Sequence, residues 1–247
     1  MPDIQVLAPG SLIHLMPRLV SLFTSRQPIG IRSVFGPSGS LRAKIDAGTP
    51  FDLFLSASTT HIDDLKKEGV LGETAILGFN ETVLLYPKSM ALTPDTAVAA
   101  LINPAYSLGM STTGLDPEDD GPIPVLAKIA EAAGIEVDAL MHRTRLITGG
   151  RETPNAPEGR NQYGWFMEHR GIDLLLTYLS HALAAVDDNT NIQFTTLPKN
   201  VAVRGTYGIG LHPSASDDAR AFFDWLIDMD AQHILKDGGF SPVHEGS

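Results

Sequence analysis

Two serines stand at matching points of the chain, each just after a strand-like apolar run and at the expected first residue of a helix. They are Ser11, which follows Gly10, and Ser38, which has Gly36 and Gly39 on either side. The N-terminus of a helix offers unpaired amides and a positive dipole end, and a serine hydroxyl adds one more donor. The glycines leave the backbone open to a ligand. Two such turns converging from parallel strands are typical of a site that binds an oxyanion through neutral donors.

A simpler interpretation of each serine is an ordinary helix cap, because serine is among the residues preferred there. The stretch GPSGSL around Ser38 is not a nucleotide-phosphate loop, since it lacks the lysine of that motif. The sequence pattern is therefore compatible with two interpretations of the serines, an anion site without a formal cation and a pair of helix caps.

The sequence offers little for catalysis or for a resident metal. There is no cysteine, and the eight histidines form no HExxH motif or closely spaced pair, so thiolate chemistry, disulfides and zinc sites are not expected. The adjacent Asp119 and Asp120 are interpreted as a turn or helix-start charge. The stretch GTYGIG lies among apolar residues and predicts a strand rather than a phosphate loop. We therefore expect no enzyme and no cofactor.

The elements that position the serines alternate between strand and helix. IQVLA predicts a strand, and SLIHLMPRLVSLFTSR predicts a helix that Pro17 should kink. IRSVF, a helix over 38–47, FDLFLSA and a helix over about 58–68 continue the pattern, and a second series runs from TVLLYP to IQFTTL. In that series PVLAKIAEAAG predicts a helix that ends at Gly134. Repeated βα units indicate an α/β fold with parallel strands. Two α/β series without a flexible linker between them indicate two lobes joined by short strands.

Composition limits the class of protein. A chain of 247 residues can hold two lobes with their own cores, and 43% hydrophobic with 19% charged residues indicates a globular protein. The formal net charge of -11 disfavours nucleic acid as a partner, which would select for clustered Lys and Arg. No apolar run reaches membrane-helix length, and MPDIQVLAPG is unlike an export signal. The chain is then either cytoplasmic or the mature form of an exported protein.

Four stretches carry a family resemblance: LAPGSLIHLMPRL, FGPSGSLRAKIDAGTPFDLFLSAS, IDDLKKEGVL and ARAFFDWLIDMDAQHILKDGGFSPV. They resemble the periplasmic molybdate- and tungstate-binding proteins that supply ABC importers, closely over 4–87 and 213–243 and weakly between. The resemblance implies a type II periplasmic-binding-protein fold, in which two α/β lobes close over a ligand. The implied hinge strands lie near 82–86 and 201–205, with residues 1–83 and 203–247 in the first lobe and 84–202 in the second.

The resemblance also implies roles for single residues. Ser11 and Ser38 match two first-lobe serines that hold the oxyanion through hydroxyl and amide, and Tyr178 matches a tyrosine that donates from the second lobe. For Tyr178, a core position with a satisfied hydroxyl is an equally good interpretation.

The middle of the chain departs from this family at the start of the second-lobe helix. In DPEDDGPIPVLAK, Pro122 and Pro124 lack amides, so the contact would come from Gly121 or Ile123. Asp120 is similar to an acidic residue with which some archaeal relatives reach the metal centre of the oxyanion.

A second departure is the stretch GGRETPNAPEGRNQYGW. The remaining helix amide of the family aligns near Arg160 and Asn161 in it. Arg151, Arg160 or both are candidates to pair in a bidentate manner with the carboxylate, sulfonate or phosphonate of a larger ligand.

The leading hypothesis is a monomeric periplasmic receptor that binds a molybdate- or tungstate-like anion and delivers it to the membrane permease of an ABC importer. Metal binding would then occur only through the metal centre of the oxyanion. Two alternatives are a receptor for a larger organic anion and a cytoplasmic ligand sensor of the same fold, the latter if Met1 is the native start.

Overall fold

The computed structural model describes residues 3–111, 122–148 and 155–243. Within these ranges the chain forms two compact units, called here the first unit (3–80 and 205–243) and the second unit (81–111, 122–148 and 155–204). The chain leaves the first unit between Asn80 and Glu81 and returns between Arg204 and Gly205. The lobe limits implied by the family resemblance, residues 84 and 202, stay a prediction.

Ten strands and ten α-helices lie in the described part of the chain. The strands are β1 (Ile4–Pro9), β2 (Ile31–Gly36), β3 (Leu53–Ser56), β4 (Thr74–Pro87), β5 (Leu108–Ser111), β6 (Thr144–Thr148), β7 (Leu174–Tyr178), β8 (Ile192–Thr196), β9 (Arg204–Leu211) and β10 (Phe240–Ser241). The helices are α1 (Met16–Thr24), α2 (Ser38–Asp46), α3 (Thr59–Lys67), α4 (Pro94–Ile102), α5 (Ile123–Ala133), α6 (Val137–Arg143), α7 (Gln162–His169), α8 (Leu179–Asp188), α9 (Asp217–Leu226) and α10 (Met229–Asp237). None of these helices is both long and apolar enough to cross a membrane.

The first unit is built on parallel strands in the order β2-β1-β3, with β9 antiparallel beside β3. β1 is buried along most of its length, as expected for a parallel strand covered on both faces. Helices α2 and α3 contribute to a core cluster with Leu7 and Phe54 of the sheet. Phe23 of α1 packs against Phe222 and Trp225 of α9, with ring centroids 4.9 and 5.5 Å apart.

Two expectations about the first helix are wrong. Ser11 does not open an α-helix: it lies in a 3-10 turn, Gly10–Leu12, and α1 begins at Met16. Pro17 does not kink α1, because it occupies the first turn, where its missing amide leaves no intrahelical hydrogen bond unmade. Because an α-helix tolerates proline only in its first turn, Pro17 predicts that α1 begins close to residue 17.

The predicted strand GTYGIG is confirmed as part of β9. Its glycines permit close packing, since a Cβ atom at Gly208 would lie 2.7 Å from Ile62 of α3 and one at Gly210 would overlap Leu71. The glycines of β9 therefore allow the side chains of Ile62 and Leu71 to pack directly against the strand.

The second unit has the strand order β8-β4-β7-β5-β6, with the second half of β4 antiparallel to β7 and β8. Side chains alternate between the faces, so Leu84 and Leu176 join a core cluster with α4 and α5. Leu85 and Leu175 point the other way and join a cluster with α7 and α8. Both faces of this sheet are covered by helices.

Candidate functional site

The candidate residues of the first unit lie where its parallel strands end. β1 and β2 run parallel, with Pro9 opposite Gly36, and β3 runs parallel on the other side of β1. The turns after these strands therefore share one edge of the sheet: the Gly10–Leu12 turn after β1, the start of α2 after β2, and residues 57–58 after β3. The carboxyl edge of parallel strands is where ligands bind in open α/β sheets.

Ser38 connects two of these turns. It is the first residue of α2, is 2% exposed, and its Oγ accepts a hydrogen bond from the Ala57 amide at 3.0 Å. The N-cap of α2 is Pro37, without a side-chain capping bond. The Ser38 hydroxyl is thus held by the turn after β3, and a hydroxyl that accepts one hydrogen bond can still donate its own proton.

Ser11 is held in the same way by a distant strand. The hydroxyl of Tyr207 on β9 donates to Ser11 Oγ at 2.8 Å, and both side chains are buried. The Tyr207 ring is fixed by an edge contact with Phe240, centroid to centroid 4.9 Å. The interpretation of Ser11 and Ser38 as ordinary caps is therefore wrong, since each hydroxyl is engaged with another element.

Sequence reasoning missed Tyr207 and Ala57. Tyr207 is 196 positions from Ser11 and occupies an ordinary strand position, so only the antiparallel placement of β9 beside β3 brings it to the edge. Of the predicted glycines, Gly39 is buried in the first turn of α2. A Cβ atom at Gly10 would meet no atom within 4 Å.

The candidate residues of the second unit lie at an equivalent edge. β6 and β7 each run parallel to β5, and α5, α7 and α8 are the helices that follow β5, β6 and β7. Tyr178 ends β7, is half-buried, and is the N-cap residue of α8. Ile123 is the first residue of α5, between Pro122 at the N-cap and Pro124, so its amide remains where both neighbours have none.

The side chains of Asn161 and Arg160 form hydrogen bonds and ion pairs within the second unit. Asn161 is 6% exposed and caps α7, accepting hydrogen bonds from the amides of Tyr163 and Gly164 at 2.9 and 3.1 Å. The Arg160 guanidinium lies 2.8 Å from Glu168 of α7 and 3.0 Å from Asp188 of α8. The hydrogen bonds that the Arg160 guanidinium donates to Glu168 and Asp188 raise the pKa of Arg160. The Nε and Nη2 atoms of Arg160 are thus engaged by carboxylates of the second unit.

Three predicted residues, Asp120, Gly121 and Arg151, lie outside the described residues, as does Asp119. Among residues 3–111, 122–148 and 155–243, no three His, Cys, Asp or Glu side chains are grouped to hold a metal ion. Apart from the Arg160 guanidinium, the described candidate donors are hydroxyls and amides.

Comparison with known proteins agrees with this architecture. The ModA molybdate-binding protein of Escherichia coli is 25% identical over 244 residues, covering 96% of this chain and 88% of its own. The periplasmic molybdate-binding protein of Azotobacter vinelandii has a TM-score of 0.76 at 17% identity, covering 98% of this chain and 100% of its own. The sulfate-binding protein SubI of Mycobacterium tuberculosis has a TM-score of 0.79 at 17% identity, covering 99% and 88%.

These structural likenesses confirm the predicted α/β type II periplasmic-binding-protein fold. The family model for bacterial extracellular solute-binding proteins matches residues 4–241, nearly the whole chain. Members of such a family bind and release a solute rather than convert it, which agrees with the expectation of no enzyme. The chain belongs to the family of bacterial extracellular solute-binding proteins.

Proposed function

We propose that this protein is the solute-binding receptor of an ABC importer and that its ligand is a tetrahedral oxyanion of the molybdate or tungstate type. The observation that carries the proposal is the pair of buried serines, Ser11 and Ser38, at one sheet edge. Their Oγ atoms accept from Tyr207 and from the Ala57 amide, which leaves each serine proton to donate. Buried donors without a counter-charge suit a fully ionised oxyanion.

The magnitude is consistent with a transport receptor. About five hydrogen bonds to a charged ligand, at roughly 1.5 to 3 kcal/mol each, give a gross free energy near the roughly 8 to 12 kcal/mol of micromolar to nanomolar binding. Ordering costs lower that gross value. The similarity to ModA of Escherichia coli over nearly the whole chain supports molybdate as the first ligand to test.

Arg42, one turn after Ser38 in α2, supports neutral recognition. It is paired with Asp46 and Glu68, at 2.8 and 2.7 Å. This cation thus already has carboxylate partners, so selectivity between anions would come mainly from the size of the site.

The alternative of a larger organic anion depends on Arg151 and Arg160. Arg151 lies outside the described residues, and Arg160 is engaged by Glu168 and Asp188. The charge of Arg160 is thus already compensated by two carboxylates, which supports the inorganic oxyanion. A membrane permease as partner and a periplasmic location belong to the proposal, supported by the description of the family as extracellular solute-binding proteins. The monomeric state is part of the same proposal.

A thermal-shift and calorimetric screen of the full chain tests the proposal. The panel is molybdate, tungstate, sulfate, phosphate and small carboxylates, sulfonates and phosphonates. We expect molybdate and tungstate to bind, and a ligand at 100 times its dissociation constant to stabilise the fold by about 2.7 kcal/mol. Stabilisation by organic anions alone would replace the proposal with the larger-ligand alternative. Stabilisation by none of the panel would reject both.

A further inference from the structure

The hydroxyl of Thr82, on β4 in the second unit, has no hydrogen-bond partner in the described part of the chain. Thr82 is 1% exposed, and its Oγ1 is buried. Its backbone amide is satisfied, donating to the Val203 carbonyl at 2.9 Å. Leaving a buried hydroxyl unpaired destabilises the fold, so the group requires an explanation such as a bound water or ligand.

The register places this hydroxyl beside a candidate ligand residue. Thr82 lies directly opposite Tyr178 in the antiparallel pairing of β4 with β7. Side chains of directly opposite residues project from the same face of the sheet and are near neighbours. Thr82 therefore shares a face with Tyr178.

The same face carries the helix whose first amide is a predicted ligand contact. Two residues along β4 from Thr82, Leu84 packs in the cluster formed with α4 and α5. Ile123, the first residue of α5, packs against that cluster. The hydroxyl of Thr82, the side chain of Tyr178 and helix α5 are thus on one side of the sheet.

Thr82 is also at the edge of the sheet where ligands bind. β4 runs antiparallel to β7, so residue 82 lies at the carboxyl end of β7. β7 is parallel to β5, and α5 and α8 follow these two strands. In open α/β sheets, ligands bind beyond the carboxyl ends of the parallel strands.

A bound water is the competing explanation. A buried water makes two to four hydrogen bonds to polar groups. On this face of the second unit, Leu84 and Leu176 are apolar, whereas Tyr178 and the buried Thr195 of β8 are polar. The two explanations differ in outcome, because only an anion at Thr82 makes the affinity for oxyanions depend on its hydroxyl.

We infer that Thr82 is a further ligand-binding residue, whose hydroxyl donates a hydrogen bond to the anion beside Tyr178. This inference rests on the proposed function. The donor matches the chemistry of the first unit, where serine hydroxyls are the candidate donors.

The test is calorimetry with molybdate and tungstate on the full chain and on two variants, together with the melting temperature without ligand. Thr82→Val removes the hydroxyl and keeps the shape. We expect it to bind about 10- to 100-fold more weakly, the loss of one hydrogen bond to a charged group. Its melting temperature without ligand should be unchanged or higher, because an unpaired buried hydroxyl has been removed. Thr82→Ser keeps the hydroxyl and should bind within about 3-fold of the wild type.

The control is Thr177→Val, which removes a buried threonine hydroxyl one residue along β7, on the other face of the sheet. It should leave the affinity unchanged. Wild-type affinity in Thr82→Val, with weakened binding in Ser38→Ala, would overturn the inference and leave the proposed function standing. Equal weakening in Thr82→Val and Thr177→Val would also overturn it. A wild-type chain that binds neither oxyanion rejects the proposed function and the inference with it.

Discussion

The two units present different kinds of donor at their carboxyl edges. In the first unit, Ser11 and Ser38 are each held by a hydrogen bond from another element of the same unit. In the second, two prolines flank the Ile123 amide, and the Thr82 hydroxyl has no partner within the described ranges. The first unit is therefore organised before any ligand arrives, while the second has a polar group that a ligand would satisfy. Preorganised donors lose little freedom on binding, which favours affinity.

The bonded hydroxyl of Tyr207 and the unpaired hydroxyl of Thr82 lie at matching places in the topology of the two units. Tyr207 follows the return of the chain into the first unit, and Thr82 follows its entry into the second. Each lies on a strand antiparallel to a parallel-sheet neighbour, β9 beside β3 and β4 beside β7. The same topology thus delivers a hydroxyl to both edges, and only that of Tyr207 is shown bonded to a candidate serine.

Ser38→Ala is expected to have the largest effect, because it breaks the organised edge of the first unit. It removes the candidate donor and leaves the buried Ala57 amide without its acceptor. We expect a loss of about 1 to 3 kcal/mol in oxyanion binding and a similar loss in the free energy of unfolding. Calorimetry and urea unfolding measure the two.

The matched control for Ser38→Ala is Ser40→Ala, in the same helix and half-buried. It should leave both quantities close to wild type, since alanine is a better helix former than serine. Equal effects at 38 and 40 would show that the edge does not depend on the Ser38 hydroxyl.

Tyr207→Phe should have an intermediate effect and sharpens the comparison between preorganised and unorganised donors. The ring contact with Phe240 is kept, and the hydrogen bond to Ser11 is lost. We expect about 1 kcal/mol of lost stability and a several-fold weaker affinity, because the Ser11 hydroxyl is no longer oriented.

Tyr86→Phe is the control for Tyr207→Phe. Tyr86 donates to the Leu92 carbonyl at 2.6 Å, away from the strand ends that carry the candidate residues. Its loss should lower stability by a similar amount and leave the affinity unchanged. If both variants weaken binding equally, stability rather than orientation explains the result for Tyr207.

The sequence predicted the parts of the fold that depend on local pattern. The strand-helix series of the first third, the end of α5 at Gly134 and the strand GTYGIG agree with the structure. Gly134 ends α5 in the left-handed conformation that favours glycine, with φ 65°. Such signals are contained within a few residues.

The sequence analysis missed elements with weaker local signals. α4 was not predicted, since its capping box uses Thr93 and Thr96 in place of the usual glutamate or glutamine. α8 was not predicted either, because it follows β7 directly, with Tyr178 ending the strand and capping the helix. The partners of the candidate serines are non-local contacts, which no local pattern encodes. The turn positions of the serines were therefore predictable, and their bonding was not.

The smallest predicted effect concerns the ion pairs that join α7 and α8 in the second unit. Arg160 bridges Glu168 and Asp188, and Asn189 donates to the Gly164 carbonyl at 3.1 Å. The hydrogen bond from Arg160 holds the pKa of Glu168 below its ordinary value of 4.5. A carboxylate whose pKa is lower in the folded state stabilises the protein above its unfolded pKa, and the stabilisation is lost as the pH falls through the folded value.

Glu168→Gln tests this dependence. The melting temperature of the variant should lie slightly below that of the wild type at pH 7, and the difference should shrink as the pH falls below 4.5. Glu131→Gln, at an exposed glutamate of α5 for which the described residues provide no ion pair, should show no such change. A difference for Glu168→Gln that is the same at pH 7 and pH 3 would contradict the assignment. Oxyanion affinity at pH 7 should stay at the wild-type value, because the Arg160–Glu168 ion pair holds helices together and the proposed ligand donors are hydroxyls and amides. A weakened affinity would instead show that this ion pair helps to position the carboxyl edge of the second unit.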